Sequence, residues 1–186
     1  MSMNSSDQAA AYWQPVLLRA LVAAAFGVVT IFWQEPGQAV MAVAGGLYLL
    51  FSGAAVWLLA RKPDAGDFRT LLLLQAGAFA VAGLLALVLQ APATFTILAT
   101  AALLIGGGAE LVLWWQNRGA GGSLLAKDWL ITGAVSVGFG AALPFFTHLG
   151  AHALLGVLGG QAIIVAVVLG IAAATYRFES RKAAAG

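Results

Sequence analysis

The stretch LLIGGGAELVLWWQ, residues 103–116, sets a carboxylate, Glu110, in an apolar run between a triple glycine and a tryptophan pair. One other full charge stands comparably deep in such a run: Arg19, in VLLRALVAAAFG. Charges of opposite sign can neutralise one another where either alone would be costly to bury. Gln75 stands 56 residues after Arg19 and could join the same network. Glu110 then has two readings, one partner of a structural ion pair or a site for a proton or cation. His148 and His152, the only histidines, stand four apart in FFTHLGAHALL. On one helical turn they could bind a metal jointly, and imidazoles titrate between about pH 5 and 8. Two ligands without a third make a weak metal site, so no metal is expected. Solvated interfacial rings and a pH sensor are the readings left for them. Gln161 is an amide in the middle of an apolar run, and it should face another helix or a cavity.

No catalytic constellation accompanies these residues, and neither an enzyme nor a cofactor is expected. Gly106, Gly107 and Gly108 lack the GK[ST] ending of a phosphate loop. The chain has no cysteine, which excludes disulfides and Cys-based metal or redox chemistry. Its net charge of +2 comes from few charges, and no Lys/Arg cluster is interleaved with aromatics, so no nucleic-acid partner is expected. Tyr48, Ser52, Thr96, Thr100, Thr132 and Ser136 are scattered hydroxyls. Such groups can bond their own helix backbone, and most need no function.

The elements that position these residues follow from composition. Of 186 residues, 62% are hydrophobic and 9% charged, against roughly a quarter charged in an ordinary soluble domain. A chain this short cannot bury so much apolar surface in one water-exposed globule. An all-α integral membrane protein follows, with the lipid bilayer as its first partner. Six apolar segments, near 15–33, 38–59, 70–90, 93–116, 128–146 and 150–176, are long enough to span. Their continuous apolarity argues for helices, since a membrane barrel would alternate with period two. The connections QEPGQ, QAPA and THLG are short, whereas RKPDAGDFR and QNRGAGGSLLAKD are long and charged. Short and long alternate, which predicts three helical hairpins in series, near 15–61, 70–117 and 127–177. One transmembrane domain over 12–178 is expected between a polar tail, 1–11, and a short C-terminal tail, 179–186. Pro36 and Pro92 bias the residue before each away from helix. Gly37 is expected to permit a tight reversal.

Charge supplies the orientation. All nine Lys and Arg fall toward one end of the expected spans, Arg19, Arg61, Lys62, Arg69, Arg118, Lys127, Arg177, Arg181 and Lys182. The positive-inside rule then puts both termini and both long loops in the cytoplasm. Arg outnumbering Lys, with abundant Ala, Gly and Leu, points to a bacterial genome, and so to the inner (cytoplasmic) membrane. The six tryptophans, Trp13, Trp33, Trp57, Trp114, Trp115 and Trp129, fall near expected helix ends, where amphipathic rings favour the headgroup region. The N-terminus lacks a basic n-region, so no cleaved signal peptide is expected.

An internal repeat relates the hairpins. FGVVTIFWQEPGQ (26–38) lies over AGLLALVLQAPAT (82–94), matching Gly27 to Gly83, Gln34 to Gln90 and Pro36 to Pro92 at an offset of 56. The third hairpin keeps Gly140 at 57 from Gly83 but has Leu149 in place of the proline. Units of two spans share one orientation, so they can be related only by rotation about the membrane normal. This differs from inverted transporter repeats. Small residues at Gly156 and Gly160, and at Ala42 and Gly46, offer close helix contacts within the chain, or a homo-oligomer face.

VLLRALVAAAFG, the turn FWQEPGQAV, the helix end GLYLLFSG and the closing GGGAELVLWW together resemble the HdeD-like family of small bacterial membrane proteins. The likeness covers about residues 12–178. It departs from the pattern in having Glu35 before Pro36 and in lacking the third turn proline. The resemblance implies repeated helical pairs, and its family association is with stress and acid resistance. A small transporter or channel, with a polar path between the hairpins, is the alternative.

Overall fold

In the computed structural model of the chain, residues 5–33, 35–119 and 123–185 are described. Among them there is no strand. The helices are α1 (Ser5–Phe32), α2 (Gln38–Ala60), α3 (Arg69–Leu89), α4 (Pro92–Asn117), α5 (Ala126–Ala142) and α6 (Gly150–Ala185). Two 3-10 segments, Pro63–Phe68 and Leu143–Leu149, fill the α2–α3 and α5–α6 connections. Five stretches are long and apolar enough to cross a membrane, and the fifth, Ala126–Ala183, holds both α5 and α6. Pro144, which cannot donate to the preceding turn, opens the second 3-10 segment. Gly150 at φ +86 then reverses the chain, a backbone angle that side chains rarely adopt. Ser136 meets Gln161 and Asp128 meets Tyr176, so α6 runs back along α5.

Each helix packs on its neighbours in the chain, and α6 returns to α1, which closes a ring. Three of the contacts bring backbones close. A Cβ on Gly83 of α3 would stand 2.6 Å from the Gly46 carbonyl oxygen of α2. One on Gly107 of α4 would meet the Gly133 oxygen of α5 at 2.8 Å. One on Gly27 of α1 would meet the Ile163 side chain of α6 at 2.6 Å and its backbone nitrogen at 3.6 Å. Small residues permit such approaches, and in lipid the packing itself supplies the attraction. Of the expected small-residue pairs, Gly46 does lie at a crossing. Gly156 faces open space and Gly160 only the edge of Phe139; the close approach on α6 falls at Gly159, against Thr30.

The outside of the ring is apolar. Phe32, Val88, Ile97 and Ile171 are each 65–79% exposed. Inside, Arg19, Ser52, Gln75, Thr96, Glu110, Thr132, Ser136 and Gln161 are buried. Water favours the opposite arrangement, and hydrocarbon favours this one.

Several boundaries differ from the sequence expectation. The polar stretch through residue 11 is helical from Ser5, with residues 1–4 outside the described residues. Pro15, which suggested a helix start, lies inside α1. An interior proline costs about 3 kcal/mol. Buried Ala9 and Tyr12, with Gln8 accepting from the Leu124 N–H at 3.1 Å, hold the extra turns in place. The C-terminal stretch 179–185 continues α6, and only Gly186 falls outside the described residues. Gly37 has ordinary extended angles, φ −68 and ψ 170, so that turn needs no special glycine geometry. At the α3–α4 turn it is Gln90 that takes a left-handed conformation, φ 42, before extended Ala91 and Pro92. Trp129 stands in the first turn of α5, near a helix end as expected, but its ring is covered by protein rather than open to the surroundings, edge-on to Phe68 at 5.3 Å between centroids.

Candidate functional site: a polar network inside the ring

Glu110 is 0% exposed on the inner face of α4, one turn after the small residues that let α5 approach. Its Oε1 accepts a hydrogen bond from Arg19 Nη1 of α1 and one from Gln75 Nε2 of α3, the latter at 2.7 Å. The Arg19 side chain is 11% exposed. α1 and α4 are not close-packed neighbours, so the guanidinium reaches across the inside of the ring to meet the carboxylate. The three residues expected to form one network do so. Charge-assisted bonds of this kind are about twice as strong as neutral ones, and the pairing offsets the desolvation of both ions. Glu110 Oε2 and Gln75 Oε1 have no hydrogen-bond partner among the described residues.

A second set of polar groups lies on the other helices. Tyr48 of α2 donates to Gln161 Oε1 of α6 at 2.8 Å, and Gln161 Nε2 donates to Ser136 Oγ of α5 at 3.3 Å. The Tyr48 ring is stacked on Phe26 of α1 at 4.5 Å. Arg19, Tyr48, Gln75, Glu110, Ser136 and Gln161 thus contribute one polar side chain from each helix. Gln161 faces other helices rather than open space: it is 1% exposed and does not line the groove between α1 and α2. Thr96 and Thr132 do bond their own helix, through the carbonyls of Pro92 and Asp128.

Tyr48 and Ser136 looked like scattered hydroxyls in the sequence. A signal was available for the first: Tyr48 and Gln161 are 113 residues apart, twice the repeat offset to within one residue. The same register marks a feature at the helix ends. Arg61 lies over the Trp57 ring at 4.6 Å, and Arg118 lies 5.7 Å from the Trp114 ring and 3.5 Å from that of Trp115. Both the Trp57–Trp114 and Arg61–Arg118 spacings are 57. Arg177 over Trp13, at 5.3 Å, makes a third such pair from α6 and α1.

The two histidines are not brought into this network. His148 lies in the 3-10 segment and His152 in the first turn of α6, with the Gly150 reversal between them. The single helical turn that would have aimed both at one ligand is therefore interrupted. Both rings are exposed. Among the described residues, no three His, Asp or Glu side chains gather as metal ligands. Comparison of the chain with protein-family models, with curated proteins and with solved structures gives no match.

Proposed function

We propose that the chain is a non-enzymatic, multi-pass protein of the bacterial inner membrane, of HdeD-like type, acting in stress or acid tolerance. In this reading α1 to α6 are six spans, arranged as three hairpins rotated about the membrane normal, with both termini in the cytoplasm. Support for the rotation comes from Gly27, Gly83 and Gly140. They are equivalent in the repeat, and each lies against a helix of another hairpin: α6, α2 and α4. The arginines of the three Arg–Trp pairs lie near the ends of α2, α4 and α6, the ends that the positive-inside rule assigns to the cytoplasm.

One observation carries the choice of a closed bundle over a conduit. Glu110, Gln75 and Gln161, large polar groups inside the ring, are at most 1% exposed and are joined to other helices by hydrogen bonds. A transporter instead needs a polar, water-accessible path near the midplane. The rival reading, a small transporter or channel, draws on the unpartnered Glu110 Oε2 and Gln75 Oε1, which a proton or a small cation would satisfy. Reconstitution in liposomes separates the two. A closed bundle leaves imposed proton and potassium gradients decaying as in empty vesicles, whereas faster decay that Glu110→Gln abolishes assigns the conduit. The stress role has its own test. Cells lacking the protein should survive an acid challenge less well and recover when it is restored; equal survival removes that role.

A further inference from the structure

Between α1 and α2 the helix surfaces part, and two cavities follow the gap. On the side of Trp33 lies a groove of about 580 Å³, almost wholly apolar, lined by residues that include Val22, Phe26, Val29, Leu47, Tyr48 and Phe51. Toward the other end of the same two helices lies a cavity of about 460 Å³, lined by Gln14, Pro15, Leu18, Leu58, Arg61 and Lys62. The two share one seam. Leu18 stands one turn before Val22 on α1, and Leu58 two turns after Phe51 on α2. One end of the seam is cationic and the rest is apolar. The Arg61 guanidinium is held over Trp57, a ring type that favours the headgroup level. Ten residues separate Arg61 from Phe51, roughly 15 Å along the helix. That is about half of the ~30 Å hydrocarbon core, the reach of one acyl chain in one leaflet.

We infer that this seam seats one anionic glycerophospholipid, its phosphate against Arg61 and Lys62 and an acyl chain laid past Leu58 to Phe51 and Leu47. The charge selects the class. Two adjacent cations attract a headgroup with net negative charge, while a zwitterionic headgroup brings an ammonium that they repel. The groove selects a chain, since Phe51 is 52% exposed and Leu47 37%, with no segment of the described residues over them. The ring of Tyr48 lines the groove and its hydroxyl bonds Gln161, so a seated chain would touch a residue of the interior network.

The test is native mass spectrometry of the full chain in mild detergent, titrated with phosphatidylglycerol or with phosphatidylcholine of the same acyl composition. Wild type should retain one phosphatidylglycerol in preference to phosphatidylcholine. The double variant Arg61→Gln/Lys62→Gln should bind it about thirty-fold more weakly, the effect expected from losing two interfacial cations. Arg69→Gln, at the start of α3, should leave retention unchanged. Leu47→Trp, which fills the groove without touching the charges, should also weaken retention. Equal retention of the two lipids, or wild-type binding by the Arg61/Lys62 variant, overturns the headgroup assignment. Wild-type binding by Leu47→Trp overturns the seating of the chain.

Discussion

Replacing Glu110 by Gln keeps the shape of the side chain and removes its charge, which leaves Arg19 inside the ring opposite a neutral amide. The Arg19 side chain is 11% exposed, so some water reaches it, and its long stem lets it lean toward the helix end. A loss of about 3 kcal/mol is expected, the lower end of the range for breaking a buried pair. Arg19→Gln is the harsher change. It strands a carboxylate that is 0% exposed with one neutral donor, Gln75. About 4 kcal/mol is expected there. The double variant holds no charge at all, only three amides able to bond one another. It should lose no more than the worse single variant, giving a coupling of roughly 3 kcal/mol. The assay is a double-mutant cycle of SDS-induced unfolding from mild detergent micelles, followed by tryptophan fluorescence. Gln75→Leu belongs in the same series, with an expected loss of about 1.5–3 kcal/mol for one bond to a charged acceptor. Single losses that add to within about 0.5 kcal/mol would show that the two charges do not act on each other, and would refute the reasoning.

Topology reporters at Gly66 and at the C-terminus should read cytoplasmic and one at Gly37 external; a cytoplasmic signal at Gly37 breaks the six-span arrangement. Gly83→Ala drives a Cβ to 2.6 Å from the Gly46 oxygen and 2.7 Å from the Leu50 nitrogen. It should destabilise by about 1–3 kcal/mol in thermal unfolding. Gly77→Ala on the same helix meets nothing within 4 Å and should be neutral or slightly stabilising. Gln161→Leu leaves the Tyr48 hydroxyl and Ser136 without their amide and should lose about 1–3 kcal/mol, largely recovered when Tyr48→Phe is added. Replacing His148 and His152 together by Gln should leave insertion and thermal stability unchanged, since both rings are exposed. If they sense acid, the same change removes any acid-dependent phenotype, and an unchanged acid response excludes them.

Much of the frame is legible in the chain itself, because hydrocarbon imposes a simple condition. A backbone crossing it must satisfy its own hydrogen bonds, so long apolar runs become helices. The ends of α2, α3 and α4 fall within one or two residues of the apolar segments for that reason. Glu110 and Arg19 could be paired from sign and depth, since each alone would be costly in lipid. The 56-residue offset pointed to Gln75 as well.

Other features arose only from the tertiary structure. Pro15 and the polar residues before it mark a boundary locally. Contacts from the chain near Leu124, more than a hundred residues away, override that mark and carry α1 back to Ser5. Gly159 rather than Gly160 meets α1, because the phase of a helix against its neighbour depends on packing around the whole ring. The stretch 126–183 has the composition of a long apolar run, and what folds it back is a proline, a 3-10 segment and one glycine at positive φ. That reversal also separates His148 from His152, which four-residue spacing alone would set on one turn. Most of all, Arg19 and Glu110 belong to helices that do not pack closely, and only closure of the ring sets the distance that an arginine can span. Local sequence determines which segments enter the membrane and which charges need partners. Where each side chain points, and what it meets, is decided by the interlocking of six helices, because that geometry is a property of all their contacts at once.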